Sequence, residues 1–185
     1  MDKLVLVCVK IILSIPIGVG LAYPFFDKEA AGGVLRDIQL LGTAGTALAF
    51  SLFLVLVFFY ARDLRRSLAL VSSTSREAKP DSVWLMFLLP YNFIEDFFIV
   101  ANVARSLRTE ARINPALAGF KSFGFFSGIG WCAMQVISLI PNQVGTMASA
   151  AAIVLWLWHW IFVKRANTAL ERGMQANNVS KPTSS

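Results

Sequence analysis

The stretch LLPYNFIEDFFIVANVARS, residues 88–106, decides the fold because it places Glu95 and Asp96 side by side inside an apolar run. If this run crosses a membrane, two carboxylates lie in hydrocarbon. If it does not, the residues before and after it lie on the same side of the membrane. Ionisable residues inside membrane spans are rare and are functional candidates by default. The number of spans and the roles of both acids therefore depend on this segment.

The rest of the sequence has the composition of an integral membrane protein. Of the 185 residues, 56% are hydrophobic, and the mean hydropathy is +0.62. Four apolar blocks approach or exceed the roughly 20 residues that a helix needs to cross about 30 Å of hydrocarbon. They cover residues 4–23, 38–60, 120–140 and 144–163. These blocks predict an all-α membrane protein with one domain at 1–172 and a disordered cytoplasmic tail at 173–185.

The distribution of lysine and arginine decides between four spans and five, because cytoplasmic loops of membrane proteins are rich in both residues. Suppose that residues 83–104 do not cross and that the N-terminus is cytoplasmic. Residues 61–119 then lie in the cytoplasm with eight basic residues, and the uncharged link at 141–143 lies outside. A fifth crossing would put Arg105, Arg108, Arg112 and the basic tail outside and the uncharged link in the cytoplasm. The charges therefore predict four spans in the cell membrane, with both termini cytoplasmic.

Residues 83–113 then form a cytoplasmic connector. Asn92 followed by Glu95 has the spacing of a capping box, which predicts a helix that begins at this point with Asp96 in its first turn. On a helical wheel the polar residues of this helix share one side, which predicts an amphipathic helix on the membrane surface. These residues are Asn92, Glu95, Asn102, Ser106, Thr109 and Glu110. Lys10, inside the first block, is expected to extend its amine back to the head groups.

Three sets of residues are candidates for functional or packing contacts. Arginines beside the apolar blocks are expected to contact anionic head groups; these are Arg62, Arg65, Arg66, Arg105, Arg108 and Arg112. If the acids instead project between the spans, an ion or proton path would use Glu95, Asp96 and Asn102. Small residues let membrane helices approach closely, and the helix-packing candidates are Gly42, Gly45, Gly124, Gly128 and Gly145. They favour packing within the chain, while a homo-oligomer or another membrane protein stays an open alternative.

Other functional classes find little support in the sequence. The net charge of +6 collects beside apolar blocks rather than on a soluble surface, so lipid head groups are favoured over nucleic acid. No catalytic motif is present, and the single histidine argues against a metal site or a cofactor. That histidine, His159, lies among Trp156, Trp158 and Trp160, a pattern typical of an interfacial aromatic belt.

Trp84, Pro90 and Asn92 open the connector between the second and third blocks. In this layout the chain resembles uncharacterised families of bacterial four-helix membrane proteins. The resemblance covers most of the chain and implies an all-α, four-span fold in the bacterial inner membrane, but it implies no activity.

Two functional hypotheses follow. The first is a non-enzymatic protein that organises or senses the cytoplasmic membrane surface through helix packing and its basic connector. The alternative is a small channel or transporter component with Glu95 and Asp96 in its path. An enzyme is the least favoured class.

Overall fold

The computed structural model describes residues 3–26 and 41–179, and this part of the chain forms helices and no strands. Its α-helices are α1 (Lys3–Phe26), α2 (Gly42–Leu70), α3 (Asn92–Glu110), α4 (Phe125–Ile137) and α5 (Gln143–Val179). Two 3-10 helices, Pro80–Phe87 and Pro115–Leu117, lie on either side of α3. The structure confirms the all-α class. The basic residues Lys28, Arg36 and Lys181, which also enter the count of charges on each side, lie outside the described residues.

Three of these helices are long and apolar enough to cross a membrane: α1 over Leu4–Ala22, α2 over Gly42–Leu70 and α5 over Gln143–Ala176. They correspond to the predicted blocks at 4–23, 38–60 and 144–163, and they support a transmembrane protein. Helix α4 is shorter, with 13 residues, or about 20 Å at 1.5 Å per residue. Large apolar side chains on the outer faces of the long helices, including Leu4, Leu48 and Val154, are exposed. Exposed apolar surface of this extent is typical of contact with lipid or a partner.

Helices α4 and α5 form an antiparallel hairpin whose turn is closed by a glycine and an asparagine. A side chain at Gly145 would collide with the carbonyl oxygen of Ile140, so the chain can pass there only without a Cβ. The Asn142 side chain accepts hydrogen bonds from the backbone N–H groups of Val144 and Gly145 at 2.9 and 3.2 Å. These bonds satisfy donors that a helix start leaves free.

Two glycines of the third block lie where α4 meets neighbouring helices. Gly124 precedes α4 in the left-handed region, with φ +73°, and a Cβ there would collide with Phe162. A Cβ at Gly128 would collide with Val100 of α3 and with His159 of α5. By contrast, the space around Gly42 is open, and Gly45 approaches only Leu41. Close packing within the chain therefore involves Gly124 and Gly128, whereas Gly42 and Gly45 make no such contact among the described residues.

The hydrophobic core lies where α2 and α5 run beside α3. Fully buried side chains from the three helices meet there: Leu64 and Leu68 of α2, Val100 and Leu107 of α3, and Val163 and Leu170 of α5. Among the described residues, α1 contributes none to this core, and the buried residues of α2 begin at Tyr60. The core thus sits towards the end of the bundle that carries the C-terminal, arginine-rich parts of α2 and α3.

Helix α3 differs from its prediction at both its start and its polar side. Tyr91 occupies the N-cap position without a side-chain hydrogen bond, and the side-chain oxygen of Asn92 is buried without a partner. The predicted capping box is therefore wrong, because Glu95 is bound elsewhere. Asn92, Glu95, Ser106 and Glu110 of the polar side are buried, so this side faces protein rather than water.

The C-terminal part of the described chain is helical for longer than the sequence predicts. Helix α5 continues past Arg172 to Val179, through residues where a disordered tail was expected. The remaining tail residues, 180–185, lie outside the described part of the chain.

Candidate functional site: a buried polar layer and a basic end

Helix α1 is joined to α3 by a buried ion pair. The Lys10 Nζ lies 2.6 Å from the Glu95 Oε2, and both side chains are buried. The Lys10 ammonium also lies 4.0 Å from the centre of the Phe98 ring, in a cation–π contact. The expectation that Lys10 extends to the head groups is therefore wrong in this structure. The Glu95 carboxylate of the adjacent helix α3 is its partner instead of the head groups.

The next residue, Asp96, has no such partner. It is 2% exposed, it makes no hydrogen bond or ion pair in the described residues, and its Oδ1 is fully buried. Its electrostatic neighbours are Tyr60 of α2, Cys132 of α4 and Glu95. Burying a charge without a partner is costly. Among the buried carboxylates of the described residues, Asp96 is thus the one that would be stabilised by binding a proton or a cation.

Tyr60 and His159 link α2 to α5 beside these acids. The Tyr60 hydroxyl and the His159 Nδ1 are 2.9 Å apart, and both side chains are fully buried. The Tyr60 ring contacts Trp131 and Trp156 edge to face, with centroids 5.4 and 5.7 Å apart. The predicted interfacial belt is therefore wrong for His159 and Trp156, which pack inside the bundle.

A second polar network, which sequence reasoning missed, also joins α2 to α5. Asp63 Oδ2 accepts a hydrogen bond from the Trp160 indole N–H at 2.7 Å. The Asp63 carbonyl oxygen accepts one from the Asn167 amide at 2.9 Å, and the Ser67 hydroxyl donates to Asn167 Oδ1 at 2.6 Å. Asp63 and Ser67 are one turn apart on α2, but their partners lie about a hundred residues along the chain. Local spacing therefore gives no sign of the pairing.

The loop after α2 closes over the far end of α3. The Ser72 hydroxyl and backbone N–H both donate to Glu110 Oε2, at 2.7 and 3.0 Å, and the Asn114 amide donates to Oε1 at 3.1 Å. Burial alone raises the pKa of Glu110, but hydrogen bonds from Ser72, Asn114 and Ser75 outweigh it and hold that pKa below its ordinary value. The loop is thus fastened to α3 by an ionised carboxylate.

The six arginines proposed for lipid contact fall into two groups. Two are paired with carboxylates: Arg65 with Asp81 at 2.7 Å and Arg66 with Glu171 at 2.5 Å. The other four, which have no ion pair among the described residues, are Arg62, Arg105, Arg108 and Arg112. Of these, Arg62 lies over the Phe59 ring, and Arg105 donates to Asn102 Oδ1 at 2.8 Å. Asn102 is therefore bound to an arginine rather than to the acids of the predicted ion path.

We predict strong coupling between Lys10 and Glu95. Lys10→Met should lower the free energy of unfolding by about 3–5 kcal/mol, because it leaves a buried carboxylate without its counter-charge. Adding Glu95→Gln should recover most of that loss. Unfolding of the four proteins of this cycle in detergent micelles measures the coupling.

The matched control is Arg65→Gln at an exposed ion pair, which should cost less than about 1 kcal/mol. Additive effects of Lys10→Met and Glu95→Gln would contradict the assignment of a coupled pair.

These features are built from side chains that the fold brings together from distant parts of the sequence. They do not form a metal centre, since no group of three or more His, Cys, Asp or Glu residues in 3–26 and 41–179 is placed to hold a metal ion. Comparison with protein-family models, with curated proteins and with solved structures finds no match to this chain.

Proposed function

We propose that this chain is a non-enzymatic, multi-pass protein of the cell membrane that organises or senses the anionic cytoplasmic lipid surface. The observation that carries the proposal is the gathering of cations at one end of the bundle. Arg66 of α2 reaches Glu171 near the end of α5, and Gly124 at the start of α4 contacts Phe162. These contacts bring together the basic segments, which include Arg62, Arg108, Arg112, Lys121, Lys164 and Arg165.

The same contacts support four spans with both termini cytoplasmic. Although α4 alone is short, its hairpin with α5 extends from Gly124 beside Phe162 to Ile140 beside Gly145. It thus follows the apolar part of α5 from one end to the other. A fourth crossing by residues 120–140 then places Lys121 and Lys164 on the same membrane side, as the excess of cytoplasmic lysine and arginine requires.

The connector fits this arrangement as a re-entrant segment rather than as a helix on the surface. Pro90 lies against Gly18 of α1, since a Cβ at Gly18 would be 3.2 Å from the Pro90 ring. Gly18 is about 20 Å along α1 from Leu4, so Pro90 lies deep in the bilayer if α1 spans it. From there α3 runs back past the Lys10 ion pair to its arginines. Non-helical backbone at membrane depth is tolerated where protein covers it.

Cysteine accessibility tests this topology. In a background with Cys8→Ser and Cys132→Ala, we expect Gln143→Cys to react with a membrane-impermeant maleimide in intact cells. Arg112→Cys and Arg172→Cys should react only after the membrane is permeabilised, because we place both on the cytoplasmic side. All three residues are exposed in the structure. Labelling of Arg112→Cys and Arg172→Cys in intact cells would overturn the four-span arrangement.

Selectivity for lipid charge tests the function itself. In vesicles of mixed phosphatidylglycerol and phosphatidylcholine, spin-labelled phosphatidylglycerol should associate with the reconstituted protein more strongly than the neutral lipid. The preference should shrink between 0.01 M and 1 M salt, as the Debye length falls from about 30 to 3 Å. Each cation near an anionic surface contributes about 1 kcal/mol to binding that surface. The triple variant Arg112→Gln/Lys164→Gln/Arg165→Gln should therefore lose much of the preference for phosphatidylglycerol.

The control for this experiment is Arg65→Gln/Asp81→Asn, which removes an already neutralised pair and leaves the net charge unchanged. Equal association of the two lipids with the wild-type protein at low salt would refute the proposed function.

The alternative of a small channel or transporter component is favoured by one observation, the unpartnered burial of Asp96. Of the three candidates for an ion path, Glu95 is neutralised by Lys10 and Asn102 is bound to Arg105. The path would therefore depend on Asp96. Intramembrane carboxylates of this kind are typical of proton relays and cation sites.

Flux through reconstituted vesicles distinguishes this alternative from the proposed function. If it holds, the protein should conduct protons or sodium ions, Asp96→Asn should abolish the flux, and Asp81→Asn at an exposed carboxylate should leave it unchanged. Vesicles containing the wild-type protein that are no more permeable than empty vesicles would exclude the alternative.

A further inference from the structure

A pocket of about 730 Å³ lies between α3 and the segment 121–126 that leads into α4. On the α3 side its wall includes Phe97, Ala101, Ala104 and Arg108, which follow one another at helical spacing. The opposite wall is the segment from Lys121 to Phe126. This volume falls within the range of about 300–1,000 Å³ that is usual for small-molecule sites.

Both walls change from basic to aromatic in the same direction. Along α3 the basic end carries Arg105 and Arg108, and the other end carries Phe97 and Phe98. Gly128 of α4 packs on Val100 of α3. Cys132 lies one turn further along α4 than Gly128, and its electrostatic neighbour Asp96 lies one turn earlier on α3 than Val100. The two segments are therefore antiparallel. The opposite wall consequently runs in the same direction, with Lys121 towards the arginine end and Phe125 and Phe126 towards the end that carries Phe97 and Phe98.

The cations of the pocket are not neutralised by the protein. Among the described residues, Arg108 and Lys121 have no carboxylate partner, and the hydrogen bonds of Arg105 go to Asn102 Oδ1 and to the Ala101 carbonyl oxygen. At the aromatic end, Phe126 is 81% exposed. The basic end thus lacks an anion, and the aromatic end presents apolar surface that no part of the described chain covers.

We propose that this pocket binds one anionic phospholipid, with its phosphate among Arg105, Arg108 and Lys121 and an acyl chain along the phenylalanines. Guanidinium groups match phosphate through paired hydrogen bonds. A free phosphate would use only the basic end, whereas a phospholipid complements both ends. The inference rests on the proposed function but is narrower, since it assigns one lipid to one pocket instead of many lipids to the whole basic end.

Native mass spectrometry of the full-length protein, released from micelles that contain phosphatidylglycerol or phosphatidylcholine, tests the assignment. We expect one phosphatidylglycerol retained per chain and at least tenfold weaker retention of phosphatidylcholine. Arg108→Gln/Lys121→Gln should weaken phosphatidylglycerol retention at least tenfold. Ala101→Phe, which fills the pocket and keeps every charge, should weaken it similarly. The matched control, Lys79→Gln/Arg172→Gln, removes two exposed cations that neither line the pocket nor belong to the proposed lipid-contact set, and it should retain the lipid as the wild type does.

Each other outcome has a definite meaning. If the control weakens retention as much as the pocket variant and Ala101→Phe has no effect, the pocket assignment fails and the proposed surface function stands. If neither lipid is preferred in this experiment or in the vesicles, both fail. If inorganic phosphate at equal concentration displaces the phospholipid, the basic end is a phosphate site and the lipid assignment is overturned. Circular dichroism identifies a variant that is unfolded, and the charge variants keep the test decisive if Ala101→Phe does not fold.

Discussion

The constraint on which the arrangement of the other helices depends is that a buried carboxylate needs a counter-charge. Glu95 finds it in Lys10, across 85 residues of sequence and between two helices. In the protein interior neither charge can be left alone, because the penalty for an isolated buried ion exceeds what the surrounding packing can offset. The pair therefore fixes how far along α1 the start of α3 can lie. Gly18, two turns further along α1, then lies beside Pro90.

Once the start of α3 is fixed, the placement of its other charges follows from helix geometry. Arg105 and Arg108 lie about 15–20 Å along the helix axis from Glu95. One helix thus carries an acid pair near its start and a basic group near its end. Its aromatic residues Phe97 and Phe98 fall between the two. The polarity gradient of the pocket and the burial of the acids are consequences of the same helix and the same anchor.

The sequence was sufficient to predict the features that depend on composition and periodicity. The all-α class, the three long apolar helices and the glycines at close approaches of α4 follow from block length and from small residues. The prediction of a capping box was wrong because Glu95 forms a buried ion pair with Lys10. That pair is stronger than the local hydrogen bond that a capping box would give Glu95. The prediction that His159 belongs to an interfacial belt was wrong for a related reason. Its tryptophan neighbours suggested an interface, but Tyr60 offers it a hydrogen bond within the bundle. Partners at such separations leave no trace in local spacing.

The Lys10–Glu95 ion pair and the basic pocket share one side chain, so a change at either one is expected to affect the other. Phe98 lies over the Lys10 ammonium and also lines the pocket. A ligand that fills the aromatic end would pack on a ring that shields the Lys10–Glu95 pair from its surroundings. Effects at residues with a common partner are generally not additive. A substitution of Phe98 would therefore disturb both features at once. Glu95 and Arg108 lie on either side of that ring along α3, so substitutions there can separate the anchor of the fold from the chemistry of the pocket.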